Sequence, residues 1–466
     1  MPRIEKDFLG ERQIPDDVYY GVQTLRGKEN FRITGMPVSR EPNFVKAFGY
    51  VKKAAAMANR DLGVLDAKIA EAIIHACDRL IAGEMLDQFV TDFIQGGAGT
   101  STNMNANEVI ANLALECMGH QKGEYQYCSP NDHVNFGQST NDVYPTAFHL
   151  GLILRLESYM ESLRNLADAF FAKAKEFDSV LKMGRTHLQD AVPMSLGQEF
   201  HGWGTTIAEE VRRIAEVRKI LQGVNLGATA IGTTVTAAPG YPELAVKYLS
   251  QITGIDFTLA PDLIEATSDT GDYVLLSGVL KHTSSKLTKI CNDIRLLASG
   301  PRCGLNEITL PQMQPGSSIM PGKVNPVIPE VVNQTAFLVI GLDLTVTLAA
   351  SAGQLQLNVM EPVITFALFA SITTMERAVE SLRVNCVEGI IANPDRTRAM
   401  VMSSLGVVTL LKPSLGYKQC ADMAREGFLT GKSLHDIVVK ERKLLPQEKW
   451  DEVFSFENLI NPTFEQ

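Results

Sequence analysis

At 466 residues, with 45% apolar and 21% charged residues, the chain has the composition of an ordinary soluble globular protein and the length for two or three domains around a large core. A formal net charge of −10 and the lack of any dense Lys/Arg run argue against a nucleic-acid partner, so an anionic ligand would need local positive groups such as Lys323 and Arg185. Seven scattered cysteines, never in a C-x-x-C pair, suit reduced thiols in a cytoplasmic protein and offer no zinc site.

The opening MPRIEKDFLGERQIP is charged within six residues and has no apolar stretch, which predicts no signal peptide. Residues 1–140 read as a mixed, mostly helical domain. Helices at 43–60 and 66–85 alternate there with Gly/Asn/Ser-rich loops at 95–105 and 128–141. GGAGTSTN (96–103) resembles a dinucleotide fingerprint, but Thr102 replaces the third glycine and no βαβ pattern surrounds it.

From about 141 the texture changes to long apolar stripes. Leu152, Leu156, Tyr159, Leu163, Leu166 and Phe170 recur at spacings of three and four, which predicts a helix over 152–171. Helices follow at 197–222, 273–297, 327–350 and 363–392, the second stopped by Gly300-Pro301 and the last starting after Pro362 and stopping at Pro394. Stripes of this kind want antiparallel partners, so 141–394 is predicted to be a central five-helix bundle in a mainly all-α fold. The stretch 335–350 is apolar on nearly every side, yet it is too short to span a bilayer and contains Asp343. It leaves too little polar surface for a lone bundle, which predicts a homo-oligomer. Residues 395–466 form a small C-terminal domain, where Ser433 with Asp436 marks a short helix start.

Four polar segments stand where core helices meet loops: GTSTNMNANE (99–108), GQSTND (137–142), GRTHLQD (184–190) and GSSIMPGKVNP (316–326). Ser, Thr and Asn in loops usually serve as caps and turns, but four such segments together point to a site. The last is not a phosphate loop. Five residues separate Gly316 from Gly322, where a P-loop has four, and Val324 takes the place of the magnesium-binding hydroxyl. Its glycines and prolines instead suit a catalytic loop closing over something small and anionic. No metal-ligand spacing, nucleophile elbow or redox fingerprint accompanies these segments.

Hydroxyls, amides, one Lys and one His suit the stabilisation of charge developing on a carboxylate. Removing a proton beside a carboxylate gives a doubly charged enediolate-type species. Each donor aimed at its oxygens is worth roughly 2.7–4 kcal/mol by analogy with oxyanion holes. Elimination without a cofactor is therefore feasible with this set.

The loop 316–326 resembles the signature of the aspartase/fumarase superfamily, and RIEKDFLGERQIPDDVYYGVQTLRGKENF (3–31) resembles its opening segment. The other three segments match its substrate-contact regions in order and separation. QGGAGTSTN (95–103), QSTND (138–142) and NVMEPV (358–363) resemble the ammonia-lyase branch, since hydratases tend to carry a Lys-Pro pair in the last of these. Argininosuccinate and adenylosuccinate lyases share the fold but have different loops.

The resemblance implies a three-domain fold whose central bundle tetramerises, and reversible deamination of L-aspartate to fumarate and ammonia with no cofactor. Some relatives are activated by a divalent cation. Ser317 would be the base. Thr100, Ser139, Thr140 and Ser318 would hold the β-carboxylate, and Thr186, Lys323 and Asn325 the α-carboxylate. Asn141 and His187 would contact the amino group, and each site would draw on three subunits of a homotetramer. On chemistry alone an imidazole is the better base near neutrality, and a serine needs Lys323 and backbone N–H groups to make it acidic. The family pattern selects Ser317. Hydration of fumarate is the alternative activity, and an inactive scaffold would not be expected to keep the loop intact. The chain departs from its relatives at GTTVT (232–236), where they usually carry Gly-Thr-Gly-Leu-Asn, and at Lys412, where Asn is common.

Overall fold

The stripes fold into helices because each buries one face at three- and four-residue spacing. The computed structural model describes residues 2–460. In chain order the helices are α1 (Val22–Asn30), α2 (Pro42–Asp61), α3 (Ala67–Ile81), α4 (Thr100–Cys117), α5 (Thr140–Glu176), α6 (Leu196–Arg218) and α7 (Tyr241–Thr253). They continue with α8 (Glu265–Ser268), α9 (Gly271–Leu297), α10 (Val327–Ser351), α11 (Glu361–Asn385), α12 (Pro394–Ser403), α13 (Lys412–Thr430), α14 (Gln447–Val453) and α15 (Phe456–Ile460). The fold is mainly α, as predicted. The strands form two-stranded pairings: β1 (Arg3–Asp7) with β2 (Gly10–Ile14), β3 (Leu181–Thr186) with β4 (Gln189–Ser195), β5 (Gly223–Val224) with β6 (Thr258–Leu259), and β7 (Ile308–Thr309) with β8 (Ile391–Ala392).

Packing divides the chain into two compact units. Unit 1 comprises Met1–Glu161, Arg212–Ser284 and Ala336–Glu376; unit 2 comprises Ser162–Val211, Ser285–Thr335 and Arg377–Gln466. Each unit takes part of each of the five long helices. The division at 140 and 394 follows composition instead, and we keep it as a proposal; the last six residues of its C-terminal part lie outside the described residues.

In unit 1 an aromatic core joins four helices. Phe44 of α2 packs against Tyr144 and Phe148 of α5 and Phe369 of α11, at centroid distances of 5.4, 6.1 and 5.4 Å, and Tyr273 of α9 lies 4.6 Å from Phe148. In unit 2, Leu181 and Met183 of β3 join Val401, Met423, Ile437, Trp450 and Phe454 in the C-terminal core. Ser433 accepts from Asp436 N at 3.1 Å, so the expected start of a helical turn is present at Asp436–Glu441.

Four sequence expectations change. The loop assigned to 95–105 ends at Gly99, because Thr100 starts α4, a helix buried almost throughout and so without an apolar stripe. The second helix stops at Ile81 rather than 85, with Gly83 at φ 101° ending the run. The helix assigned to 363–392 stops at Asn385. A tight turn at Val387–Gly389 follows, and a Cβ on Gly389 would meet Pro311 at 2.5 Å. The apolar run 335–350 belongs to the 25-residue α10, which with Glu361–Gly389 is long and apolar enough to cross a membrane by length and composition alone. Phe337, Leu338, Leu344 and Leu348 of α10 are half or more exposed, while Asp343 is satisfied by Ser277 at 2.8 Å and Lys281 at 2.6 Å.

Unit 1 buries one carboxyl with no hydrogen-bond partner among the described residues, that of Glu361, and burial pushes its pKa up to about 8. A carboxyl raised in the folded state holds its proton longer than it does unfolded. Its contribution to stability therefore falls as pH rises from the ordinary carboxyl range through about 8. Glu361→Gln is expected to be more stable than the parent at pH 8.5 by one to a few kcal/mol, on the order given by the shift. The gap should close toward pH 5, as read from urea midpoints; a gap independent of pH would contradict this.

Candidate active site

In unit 1 two helix N-termini present the hydroxyls. Thr100 opens α4 and Thr140 opens α5, and Asn103 Nδ2 of α4 donates to Thr140 Oγ1 at 3.1 Å. Gly99 permits this approach: its φ is 89°, and a Cβ there would lie 2.2 Å from the Tyr144 ring. The free N–H groups and dipoles of two helix starts favour negative charge.

GQSTND is also a cap. Ser139 Oγ accepts from Asn141 N at 3.2 Å, and Asp142 reaches back to Ser139 N at 3.0 Å, a reciprocal capping box. Asp142 is fully buried, accepts from Gly227 N and Thr229 N as well, and is pushed up to about 7 by burial. Asn141 Nδ2 donates to Ala230 O at 2.7 Å, which ties the segment to the turn beginning the GTTVT departure. That turn is constrained: Gly232, Thr234 and Thr236 have φ of 93°, 57° and 74°, and a Cβ on Gly232 would sit 2.4 Å from Ile264.

Behind these residues lies a group the sequence reading missed. Lys52 of α2 is fully buried and donates to Asn135 Oδ1 and Gln138 Oε1, both at 2.9 Å. Asn135 Oδ1 also accepts from Asn103 and Asn107, at 3.2 and 3.1 Å, so one ammonium anchors the segment that carries Ser139 and Thr140. Burial pulls Lys52 down to about 7, opposed by the charge of Asp142. Lys52 continues the stripe Phe44–Phe48, one helical turn on. A charged residue in a core stripe was the available signal.

In unit 2 the segment GRTHLQD is the β3–β4 hairpin. Thr186 pairs with Gln189, and His187 and Leu188 form its two-residue tip at φ 56° and 60°. Two consecutive left-handed residues make the primed turn that hairpins prefer, usually built from Asn and Gly. Side chains there cost strain, and the tip holds Thr186 and His187 exposed. Arg185 is not free for a ligand, because its guanidinium lies 2.5 Å from the Glu307 carboxylate, which Lys182 also approaches at 3.1 Å.

Loop 316–326 in unit 2 is closed on itself. Gly316 N donates to Lys323 O at 2.7 Å, and Asn325 Nδ2 donates to Gly316 O at 2.8 Å. Only glycine fits at 316, since a Cβ would stand 2.8 Å from Lys323 O and 2.9 Å from Asn325 N. Ser317 Oγ accepts from Ile319 N at 3.2 Å and Met320 N at 3.0 Å. Two N–H donors on one hydroxyl oxygen favour its deprotonated form. Ser318 and Lys323 are exposed, and the Lys323 ammonium has no partner among the described residues. Lys412 opens α13 in the same unit, with its ammonium 5.8 Å from the Tyr417 ring centroid.

Thr100, Ser139, Thr140 and Asn141 thus share one locus in unit 1. Unit 2 carries Thr186 and His187 on a hairpin and Ser317, Ser318, Lys323 and Asn325 on a loop. Among the described residues no three of His, Cys, Asp and Glu are placed to hold a metal ion.

Comparison with known proteins gives concordant matches. A family described as Lyase matches residues 10–341, and one described as Fumarase C C-terminus matches 407–461. The chain is 55% identical to an aspartate ammonia-lyase of Helicobacter pylori over 460 residues, 99% of this chain and 98% of that one. It is 53% identical to the aspartate ammonia-lyase of Escherichia coli, covering 99% and 97%. Among solved structures, a fumarate lyase:delta crystallin from Brucella melitensis bound to cobalt superimposes with a TM-score of 0.96 at 49% identity, covering 99% and 100%. A class II fumarase from Schistosoma mansoni gives 0.92 at 33% identity, covering both chains fully.

Proposed function

The chain belongs to the aspartase/fumarase superfamily of lyases, and from this we propose that it catalyses the reversible deamination of L-aspartate to fumarate and ammonia. One observation carries the choice within the superfamily. Identity to aspartate ammonia-lyases is 53–56% over nearly the whole chain, against 33% to a class II fumarase.

In this reading Ser317 Oγ takes a proton from the carbon beside the β-carboxylate. The released electron pair moves onto that carboxylate, whose oxygens meet Thr100, Ser139, Thr140 and Ser318. The pair then returns to form the carbon–carbon double bond as the C–N bond breaks, and the nitrogen departs past Asn141 and His187. Thr186, Lys323 and Asn325 hold the α-carboxylate. The two N–H donors on Ser317 Oγ and the paired helix starts at Thr100 and Thr140 support these roles.

We further propose a cytoplasmic homotetramer that needs no cofactor, with each site completed by segments of three copies. The uncovered apolar face of α10 supports assembly, and the seven free thiols suit a reducing compartment. Light scattering should give a four-chain mass. Leu344→Asp with Leu348→Asp should dissociate the assembly and abolish turnover; an active single chain would refute the shared site.

Ultraviolet absorbance tests the reaction, because fumarate absorbs where L-aspartate and L-malate do not. A rise with L-aspartate alone is expected. A rise with L-malate alone would make the protein a hydratase.

A further inference from the structure

Unit 1 contains a cavity of about 270 Å³ that the proposed reaction does not use. Its lining includes His149 of α5, Asn225 beside β5, Glu265 and Asp269, Asp272 of α9 and Glu361 of α11. Glu265 and Asp269 are exposed, Asp272 is half-buried and Glu361 is 6% exposed, so acidity runs from the surface to the buried end. The Glu361 carboxyl faces this space without a hydrogen-bond partner among the described residues.

The other polar groups are mostly acceptors. His149 Nδ1 lies 3.1 Å from Leu221 O and 3.0 Å from Gly223 O. Carbonyls only accept, so Nδ1 carries the proton and Nε2 is left with a lone pair. Burial lowers His149 to about 4, which keeps the ring neutral. Asn225 Nδ2 gives one hydrogen to Asn141 O at 3.0 Å and one to Thr267 Oγ1 at 3.1 Å, which leaves its carbonyl oxygen. Thr146 donates its hydroxyl to Asp142 O. Besides the Glu361 carboxyl, which burial keeps protonated near neutrality while the cavity is empty, the hydroxyls of Thr270 and Tyr273 are the side-chain donors left in the lining among the described residues.

The carboxylates at the mouth, one imidazole lone pair, one amide oxygen and the Glu361 carboxyl, which a bound cation would draw into its ionised form, call for a cation with several N–H donors. The carboxylates are too dispersed for one metal ion, since no three such groups come together. An N–H donor reaches acceptors at about 2.7–3.2 Å and can satisfy several at once. We propose that this cavity binds an ammonium-type cation, either the ammonium ion or a small primary alkylammonium. Naming ammonium as the natural occupant rests on the deamination reading; the acceptor-rich lining does not. Through Asn225 the cavity is one hydrogen bond from Asn141, the residue proposed to face the departing amino group.

The test is calorimetric titration of the full-length protein with methylammonium chloride, without any diacid, against sodium chloride, tetramethylammonium chloride and magnesium chloride. Saturable heat is expected with methylammonium alone. Its affinity should fall about tenfold or more in Glu361→Gln and in Asp272→Asn, while both variants still form fumarate from L-aspartate. Equal affinity in both variants would place the cation elsewhere and overturn the proposal. So would equal binding of tetramethylammonium, which has the charge but no N–H, or of magnesium. Absence of saturable heat would also overturn it. A protein that binds methylammonium but forms no fumarate from L-aspartate would defeat the deamination reading and leave the cavity assignment standing.

Discussion

Ser317→Ala is expected to leave the fold intact and to lower fumarate formation from L-aspartate by about 10²–10⁴-fold, the range for loss of a general base. The hydroxyl is exposed to no packing role that its loss would disturb: its oxygen accepts only from Ile319 and Met320, inside its own loop. Those two bonds supply part of what a serine base requires, because they stabilise the oxyanion more than the hydroxyl. The ring of bonds from Gly316 to Lys323 and Asn325 does not involve the Ser317 side chain, so the loop should persist in the variant. Binding of fumarate should weaken far less than turnover falls. Near-parental turnover would transfer the base to His187, and His187→Asn would then show the large loss instead.

Glu108→Ala is expected to destabilise the protein by about 3–5 kcal/mol, since each buried donor left without an acceptor costs about 1–3 kcal/mol. Glu108, buried in α4, accepts from Gly21 N, Gln23 N, Thr24 N and Thr24 Oγ1, at 2.8, 2.8, 3.1 and 2.5 Å. It is the acceptor for the opening turn of α1, assisted by Glu5 on Val22 N. No backbone group can replace it there, because the first N–H groups of a helix have no partner within the helix. Gly21 leaves room for both carboxylates, and a Cβ would meet Glu5 Oε2 at 2.4 Å. The loss is a large share of the roughly 5–15 kcal/mol that holds a typical domain. It should appear as an early urea transition, and a midpoint shift equivalent to less than about 1 kcal/mol would show that water replaces the carboxylate freely.

The long helices were legible because Leu152 to Phe170 and Tyr273 to Leu297 each bury one face and leave the other wet. The helix α4 was not, for the opposite reason. Thr102, Asn103, Asn105, Asn107, Glu108 and Asn112 are all buried, and most bond to chain outside the helix. A helix buried on every side has no stripe, so its asparagines look like loop. The polar segments were legible as a chemical set, yet only coordinates reveal the double duty of Ser139 as both cap and proposed ligand contact. Arg185 looked available from its type and was not, since its partner Glu307 lies more than a hundred positions away. The cavity around Glu361 draws on four separate stretches of chain, and no local pattern could have announced it.

Because loop 316–326 is stitched across its own neck, any displacement of it that keeps those bonds carries the loop as one piece. In the proposed reaction the Ser317 oxygen keeps its two N–H donors wherever the loop stands, because all three groups belong to the loop. Its solvation is replaced once, when the chain folds, and need not be rebuilt at every turnover. For a base held in that way, the reagent would stand ready between turnovers, and each cycle would bear only the entropy of docking a rigid body.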